Sequence, residues 1–258
     1  MVHRSCRWLM PSALILLSLA DIAPAWAEFP EDRRFMVEFE TGAIWQSRNE
    51  IQIPDSSDGT RFSLASIQGS QPQVQRRVEA TWNVAHRHAI RFVYQPLGFD
   101  GTGTFGQPVR FAGGNFAAGL PVDSEYKFDS YRLSYRYLFY DSPTWRWRIG
   151  ATAFLRDAKV ELRQGPVTAT DSNVGVVPLL SFNVEYAFAP RWTAVLDFDG
   201  SVASQGRAID AAFKVRYDVT DRWMVSAGYR VFEGGVDNDE RFAFGWYNFA
   251  VVSVGVRF

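Results

Sequence analysis

The segment SYRLSYRYLFYDSPTWRWR, residues 130–148, decides the fold because its polar and apolar residues alternate on both sides of a short turn. Before the turn, Leu133, Tyr135 and Tyr137 fall on one face of an extended chain, and serines and arginines fall on the other. A period of two is typical of a β-strand whose faces meet different surroundings. The turn carries Asp, Ser and Pro, which favour chain reversal. The segment therefore predicts an antiparallel hairpin with one apolar face and one arginine-bearing face.

The same alternation recurs along the chain, for example over residues 180–188, 209–217 and 250–258. Counting such segments predicts ten strands, near residues 34–49, 73–85, 88–97, 126–140, 144–162, 174–188, 191–203, 207–219, 222–233 and 242–258. An even count returns both chain ends to the same side of a membrane, and tilted strands of about 9–11 residues are long enough to cross it. We predict an all-β fold, a transmembrane antiparallel up-and-down β-barrel of ten strands. Eight strands with an irregular first hairpin is the alternative.

The aromatic residues indicate that the apolar face meets lipid, whereas alternation alone would also fit a soluble β-sandwich. Aromatic side chains flank the short turns near residues 82–88, 139–145, 188–192 and 217–223. Amphipathic rings in such positions form a girdle at a membrane interface. The predicted girdle consists of Trp82, Tyr140, Trp145, Trp192, Tyr217 and Trp223. The other connections, near 50–73, 97–125, 163–173, 204–207 and 233–241, are mostly longer, so we place them outside the cell and the short turns in the periplasm.

The composition excludes several classes of protein. The 258 residues carry 27 basic and 28 acidic side chains, which is too balanced for a polybasic nucleic-acid binder. The longest charge-free run, residues 242–256, has 15 residues, whereas a membrane-spanning helix needs about 20. At the N-terminus, Arg4 and Arg7 precede an apolar stretch that ends in Ala25-Trp26-Ala27. This pattern predicts a signal peptide, residues 1–27, followed by a barrel domain, residues 28–258.

One predicted strand changes its pattern part of the way along. After Leu155 the apolar residues Ala158, Val160 and Leu162 occupy the opposite parity. Two structures would produce this change: a β-bulge, which inserts one residue and turns the following side chains over, or a strand that continues beyond the bilayer.

The C-terminal sequence VSVGVRF, residues 252–258, resembles the last strand of bacterial outer-membrane proteins, which ends in an aromatic residue preceded by alternating apolar residues. Over its whole mature length the chain resembles the group of small outer-membrane β-barrels that includes the OmpA-like and OmpW-like barrels. The resemblance implies a place in the outer membrane of a Gram-negative cell, with outer-membrane lipid around the barrel. It also implies that the barrel-assembly machinery reads the terminal strand through Val254, Val256 and Phe258.

If the apolar faces meet lipid, the polar faces line the lumen. The predicted lumen-lining residues are Arg77, Arg91, Arg132, Arg136, Arg146, Arg148, Lys214, Arg216, Arg230, Glu38, Glu40, Glu79, Glu185, Asp197, Asp199 and Asp210. With Arg48 and Arg156 the inward cations number eleven against seven carboxylates. A ten-stranded barrel is narrow enough for side chains to fill, and arginine suits paired charges in a confined space.

Two functions follow from this lining. An excess of cations around an open passage would make a narrow porin or channel for small anionic solutes. The alternative is a non-conducting structural or surface-interaction barrel whose lumen is closed by salt bridges.

A lipid-modifying enzyme is a third hypothesis, and it would depend on His86 and His88, the two histidines of the mature chain. Both lie in a predicted periplasmic turn without a neighbouring nucleophile in sequence, so we expect no enzyme and no catalytic residues. The acidic loops lack the spacing of a calcium-binding motif, so we expect no metal and no cofactor.

Overall fold

The computed structural model describes residue 29 and residues 33–204, 206–238 and 240–258, and the predicted signal peptide lies outside them. In chain order the elements are β1 (Phe35–Gln52), β2 (Phe62–Ser63), α1 (Leu64–Gln68), β3 (Gln73–Ala85), β4 (His88–Gln95), β5 (Gly98–Thr104), β6 (Val109–Phe111), β7 (Gly114–Phe116), β8 (Pro121–Asp141), β9 (Trp145–Gln164), β10 (Val167–Ala189), β11 (Trp192–Ala203), β12 (Gly206–Asp218), β13 (Trp223–Asn238) and β14 (Arg241–Arg257). Within these ranges, no helix is long and apolar enough to cross a membrane.

Ten of these strands form a closed antiparallel barrel, in the order β1, β3, β4 and β8 to β14. The barrel closes where β14 pairs with β1, from Met36 opposite Arg257 to Gln52 opposite Phe242. Closure leaves every barrel strand with a neighbour on both sides along part of its length, which removes the exposed edges of an open sheet. The predicted ten-stranded barrel is therefore confirmed, and the eight-stranded alternative is wrong.

Two connections that the sequence places in loops are strands instead. Residues 163–173 belong mostly to β9 and β10, which pair as far as Gln164 opposite Val167. Residues 233–238 belong to β13, which pairs with β14 up to Asn238 opposite Arg241. The polar and glycine residues that suggested loops lie on strands that extend past the apolar band, where both strand faces tolerate polar side chains.

The change of pattern on β9 comes from this extension and not from a bulge. The pairing of β9 with β10 is continuous from Trp145 to Gln164. The side chain of Val160 is buried, as an inward residue would be. Lys159, on the outer face, contacts Glu161 at 3.0 Å and lowers the pKa of its carboxyl, as Arg163 also does. The outer face of β9 thus changes from apolar to charged, while its inner face changes from charged to apolar.

The long connections between β1 and β3 and between β4 and β8 fold onto the barrel as a compact cap. The cap comprises residues 53–72 and 96–120, and it includes β2, α1, β5, β6 and β7. Its apolar side chains form one buried cluster with inward residues of the barrel strands. On the cap side the cluster contains Ile53, Phe62, Leu64, Ile67, Leu97, Phe99, Phe105, Val109, Phe111 and Phe116. The cap therefore packs into the end of the barrel opposite the short turns.

Candidate functional site

The structure places the sixteen residues named above as the predicted lumen lining on the inside of the barrel. Fifteen of them surround a cavity of about 120 Å³ in the half of the barrel nearest the short turns. The remaining one, Glu40, is buried and contacts Lys214 and Arg230. They come from nine of the ten barrel strands, so the barrel wall brings together residues that are far apart in sequence.

The alternation along β1 predicts that Arg48 faces the lumen, but its side chain lies on the outside of the barrel. The register of β1 against β14 shifts between Gln46 and Arg48, so the side chains that follow change face. Arg48 is exposed, pairs with Glu50 and lies over the ring of Phe244 at 4.6 Å. Its inward assignment is wrong because a bulge consumes one residue of the alternation.

Six buried charges form the centre of the lumen, and we call them the central cluster. They are Glu40, Arg91, Arg132, Asp199, Asp210 and Arg230, and each side chain is at most 7% exposed. Arg132 lies 2.7 Å from Asp210, and Arg230 lies 2.9 Å from Glu40. Arg91 contacts Asp199 directly. Water has almost no access to these side chains, although five of the six also border the cavity of about 120 Å³.

Shared carboxylates compensate for the larger number of cations. Asp197 accepts two hydrogen bonds from Arg136, at 2.7 and 2.8 Å, and another from Arg91 at 2.8 Å. Glu185 lies 3.0 Å from Arg216 and 3.3 Å from Arg148. Each carboxylate thus neutralises more than one guanidinium.

The remaining cations of the predicted set are paired in the same way. Lys214 lies 2.6 Å from Glu38, Arg77 lies 3.1 Å from Glu79, and Arg146 lies 3.3 Å from Asp141. Every lumen cation predicted for this half of the barrel therefore has a carboxylate partner. Since buried charges are tolerated only when they are paired, this arrangement favours a stable, closed interior.

Aromatic rings cover the central cluster on the side of the cap. The guanidinium of Arg132 lies 4.8 Å from the centre of the Phe154 ring and 5.6 Å from that of Phe232. The guanidinium of Arg230 lies 4.3 Å from the ring centre of Phe249. These distances fit cation–π contacts, which satisfy guanidinium faces that carboxylates do not reach. The rings separate a charged lower lumen from an apolar upper lumen.

Several interior residues were missing from the predicted set. Asp218 and Arg257 form a buried pair at 2.7 Å near the short-turn end. Both lie on the inward parity of their strands, so the alternation alone could have identified them. The inward rings of Phe154, Phe232 and Phe249 were missed because phenylalanine in a membrane strand is expected to face lipid.

A second, larger cavity lies on the cap side of these rings. Its volume is about 400 Å³, and β8, β9, β10, β12, β13 and β14 contribute most of its wall. Tyr126, Phe128 and Tyr247 line it together with three arginines, of which Arg207 contacts Glu233; the other two are Arg156 and Arg241. The alternation predicts that Arg156 faces the lumen. It does so in this upper cavity, and not in the charged lower lumen.

The predicted girdle residues all lie on the outside, at the short-turn end. Trp82, Tyr140, Trp192 and Trp223 are between 40% and 52% exposed, and Trp145 and Tyr217 are partly buried by neighbouring rings. Phe258 stacks on Phe35 at 6.1 Å, which continues the row of rings across the closing strands. Val254 and Phe258 are exposed on the outer face of β14 and the residue after it, and Val256 is partly buried there. An exposed band of apolar side chains above this row is what a surrounding bilayer requires.

The two histidines lie at the same end, outside the lumen. His86 is exposed, with its Nε2 atom 3.8 Å from Asp141. The Nδ1 atom of His88 lies 2.7 Å from the Tyr135 hydroxyl on the outer face. Neither is adjacent to a serine, cysteine or threonine nucleophile among the contacts of the described residues, and the absence of an enzymatic activity stays a prediction.

Solved structures share the fold of this chain. No protein-family model matches its sequence, and no curated protein does. The outer-membrane protease OmpT from Escherichia coli aligns with a TM-score of 0.53 and 8% identity over 87% of this chain and 97% of that chain. Ail, the attachment invasion locus protein of Yersinia pestis, gives 0.40 and 7% over 87% and 99%. A Pseudomonas aeruginosa FadL homologue gives 0.39 and 8% over 89% and 94%. At these identities the likeness concerns the fold alone, and that fold is the bacterial outer-membrane β-barrel.

Proposed function

We propose that this chain is a non-conducting outer-membrane barrel whose charged lower lumen is a seal, and whose cap and upper cavity form a binding surface on the outside of the cell. The observation that carries the proposal is the burial of the central cluster. The side chains of Arg91, Arg132 and Arg230 lie inside the lumen, yet each is at most 2% exposed. A passage for ions would need water around at least some of these groups.

The pairing of the charges supports the same conclusion. An anion-selective constriction needs a cation that can exchange its hydration partners with the passing ion. In the central cluster, Asp199 and Asp210 already hold the guanidinium of Arg132. Displacing either carboxylate from Arg132 would break a buried ion pair, which costs about 3–5 kcal/mol. The cations whose excess suggested an anion channel are therefore held by carboxylates inside the barrel.

The cap supports a role at the cell surface. It is not a set of independent loops, since Gln68 of α1 donates a hydrogen bond to the backbone of Phe99, and Phe99 stacks on Tyr247 of the barrel at 5.8 Å. Such packing holds the outer surface in one conformation. A rigid outer surface above a closed lumen suits binding, whereas transport across the membrane requires a continuous path.

Planar-bilayer recording tests the proposal. We expect wild-type protein, with insertion verified separately by protease protection, to give no conductance steps. A variant with Arg91, Arg132, Asp199 and Asp210 all replaced by Ser removes two cations and two anions, so its net charge is unchanged, and it serves as the opened control. Steady wild-type conductance with a preference for chloride over potassium would overturn the proposal and support a narrow anion channel.

A further inference from the structure

The barrel wall has a gap between β10 and β11. The two strands pair from the turn that joins them up to Leu180 opposite Gly200, and β10 then continues to Val167 without β11 beside it. Pro178, two residues before Leu180 in the chain, has no backbone N–H to donate to a neighbouring strand. β11 ends at Ala203, so nothing on that strand covers the upper half of β10.

The gap lies at the level where the bilayer ends. Val202 is ten residues from Trp192 of the girdle, and about 9–11 tilted residues cross a bilayer. Beside the gap, Val174, Val176 and Val202 are exposed by 64%, 66% and 76% on the outer face. A patch of exposed valines is unfavourable in water and ordinary against acyl chains. The rim of the gap is therefore apolar and adjoins the outer leaflet.

The upper cavity lies directly behind this gap. Its lining includes Val177 and Pro178 on one side of the gap and Ser201 and Ala203 on the other. The volume of about 400 Å³ falls within the range of about 300–1,000 Å³ that is usual for small-molecule sites. Its inner wall is formed by Tyr126, Phe128, Phe154, Phe232 and Tyr247. The cavity thus has the size and the apolar wall of a ligand site.

Two arginines of the cavity lack the close ion pairs seen in the central cluster. Arg156 donates to the side-chain oxygen of Asn173 at 2.7 Å and contacts no carboxylate within 4.0 Å among the described residues. Arg241 has its nearest described carboxylates, Asp171 and Glu240, at 3.8 and 4.0 Å.

The unused hydrogen-bonding groups point to an anion. The Nε atom of Arg241 is buried and has no hydrogen-bond partner in the part of the chain that the structure describes. The buried hydroxyl of Tyr247 interacts with that of Tyr126, and the described residues offer it no other hydrogen-bond partner. The planar fork of a guanidinium matches a carboxylate, which can accept two parallel hydrogen bonds. One such group would satisfy donors that the protein leaves without partners.

From this geometry we infer that the upper cavity binds a small apolar monocarboxylic acid. Its carboxylate lies against Arg156 and Arg241, and its hydrocarbon or aromatic body lies against the rings of the inner wall. This deepens the proposed function and rests on it in one respect: the central cluster forms the closed floor that retains the ligand. The acid reaches the cavity either from the outer leaflet, through the gap, or from water.

Calorimetric titration of the protein in lipid nanodiscs tests the inference with 2-naphthoate and, as a neutral analogue of the same shape, 2-naphthylmethanol. We expect 2-naphthoate to bind with one site per chain. Arg156→Gln should weaken that binding about 10- to 100-fold, the usual effect of losing a charge-assisted hydrogen bond, and should leave the weak binding of the alcohol unchanged. The matched control is Arg163→Gln, because Arg163 is on the same strand but 61% exposed on the outer face. It should bind 2-naphthoate like the wild type.

A second variant tests the location independently of charge. Ala243→Phe fills the cavity from β14 and should abolish binding of both probes without removing any charged group. Absence of 2-naphthoate binding to the wild type, or equal binding to wild type and Arg156→Gln, would overturn the inference.

The source of the ligand is decided by competition. Oleate incorporated in the nanodisc bilayer will displace 2-naphthoate if the acid comes from lipid through the gap, whereas 2-naphthoate binding that oleate does not affect indicates entry from water. Failure of this inference is distinguishable from failure of the proposed function. Wild-type conductance with intact binding would refute only the seal, and absent binding with silent bilayers would refute only the ligand site.

Discussion

Replacing Asp199 by Asn changes one buried charge at almost constant volume. Asp199 contacts Arg91, lies 3.5 Å from Arg132 and 3.8 Å from Arg136, and accepts a hydrogen bond from Thr152 at 3.0 Å. The amide can keep the hydrogen bond from Thr152, but it cannot neutralise three guanidiniums. The substitution therefore leaves one positive charge in excess in a region where the Asp199 side chain is only 2% exposed.

The size of the effect follows from that burial. Removing one partner of a buried ion pair costs about 3–5 kcal/mol, whereas an exposed pair contributes about 0–1 kcal/mol. We therefore expect Asp199→Asn to lower the free energy of unfolding by about 3–5 kcal/mol. The matched control is Asp157→Asn on the outer face, where Asp157 is 38% exposed and lies 2.7 Å from Lys127. That variant should lose at most about 1 kcal/mol.

Urea unfolding in lipid vesicles, followed by tryptophan fluorescence, measures both variants. A double-mutant cycle with Arg132→Met isolates the interaction between charges, because the double variant removes one charge of each sign. The double variant should be more stable than the sum of the single changes predicts, by about 0.5–3 kcal/mol. If Asp199→Asn and Asp157→Asn lost the same small amount, the lower lumen would be hydrated, and the closed interior inferred from burial would be refuted.

Three further predictions concern the outer face and the strands. Trp192→Ala removes a ring that lies 4.7 Å from Tyr217, and it should cost about 1–3 kcal/mol of unfolding free energy in vesicles; an unchanged urea midpoint would contradict the interfacial role. Phe258→Ala should reduce the amount of barrel assembled in cells while purified protein refolds with nearly wild-type stability, and normal assembly in pulse-labelled cells would dismiss the terminal signal. Gly42→Ala should cost about 1–3 kcal/mol, since Gly42 has φ +149° and a Cβ would lie 2.0 Å from the Ala250 oxygen; a fully stable alanine variant would contradict this close approach of β1 and β14.

The barrel itself was predictable because its signals are local. Alternation assigns each side chain to a face from its immediate neighbours, and the predicted strand 73–85 coincides with β3. The bulge between Gln46 and Arg48 was not predictable in this way. It inserts one residue without changing composition, so parity carried beyond it places Arg48 on the wrong face. Local patterns therefore determine which residues form strands, and the pairing of distant strands determines where a pattern is interrupted.

The state of the lumen depended on contacts between residues far apart in sequence. A list of inward charges shows an excess of cations, but it cannot show that Arg230 pairs with Glu40, 190 positions away. The gap between β10 and β11 also arises from different strand lengths on the two sides, and Pro178 is its only local sign. Function in this barrel therefore rests on cross-barrel geometry that alternation alone does not encode.

The accessibility to a thiol reagent of a single cysteine beside the central cluster tests the seal most directly. Ser134 is fully buried, and its hydroxyl lies 2.7 Å from that of Thr152, so Ser134→Cys is a small change at the level of Arg91. Ser172→Cys, on the exposed outer face of β10, is the reactive control. We predict that a membrane-impermeant thiol reagent labels Cys at 172 rapidly and leaves Cys at 134 unlabelled from either side of a vesicle until the barrel is unfolded in urea. Rapid labelling of the native barrel at position 134 from either side would show that water reaches the level of the central cluster, and it would contradict the account.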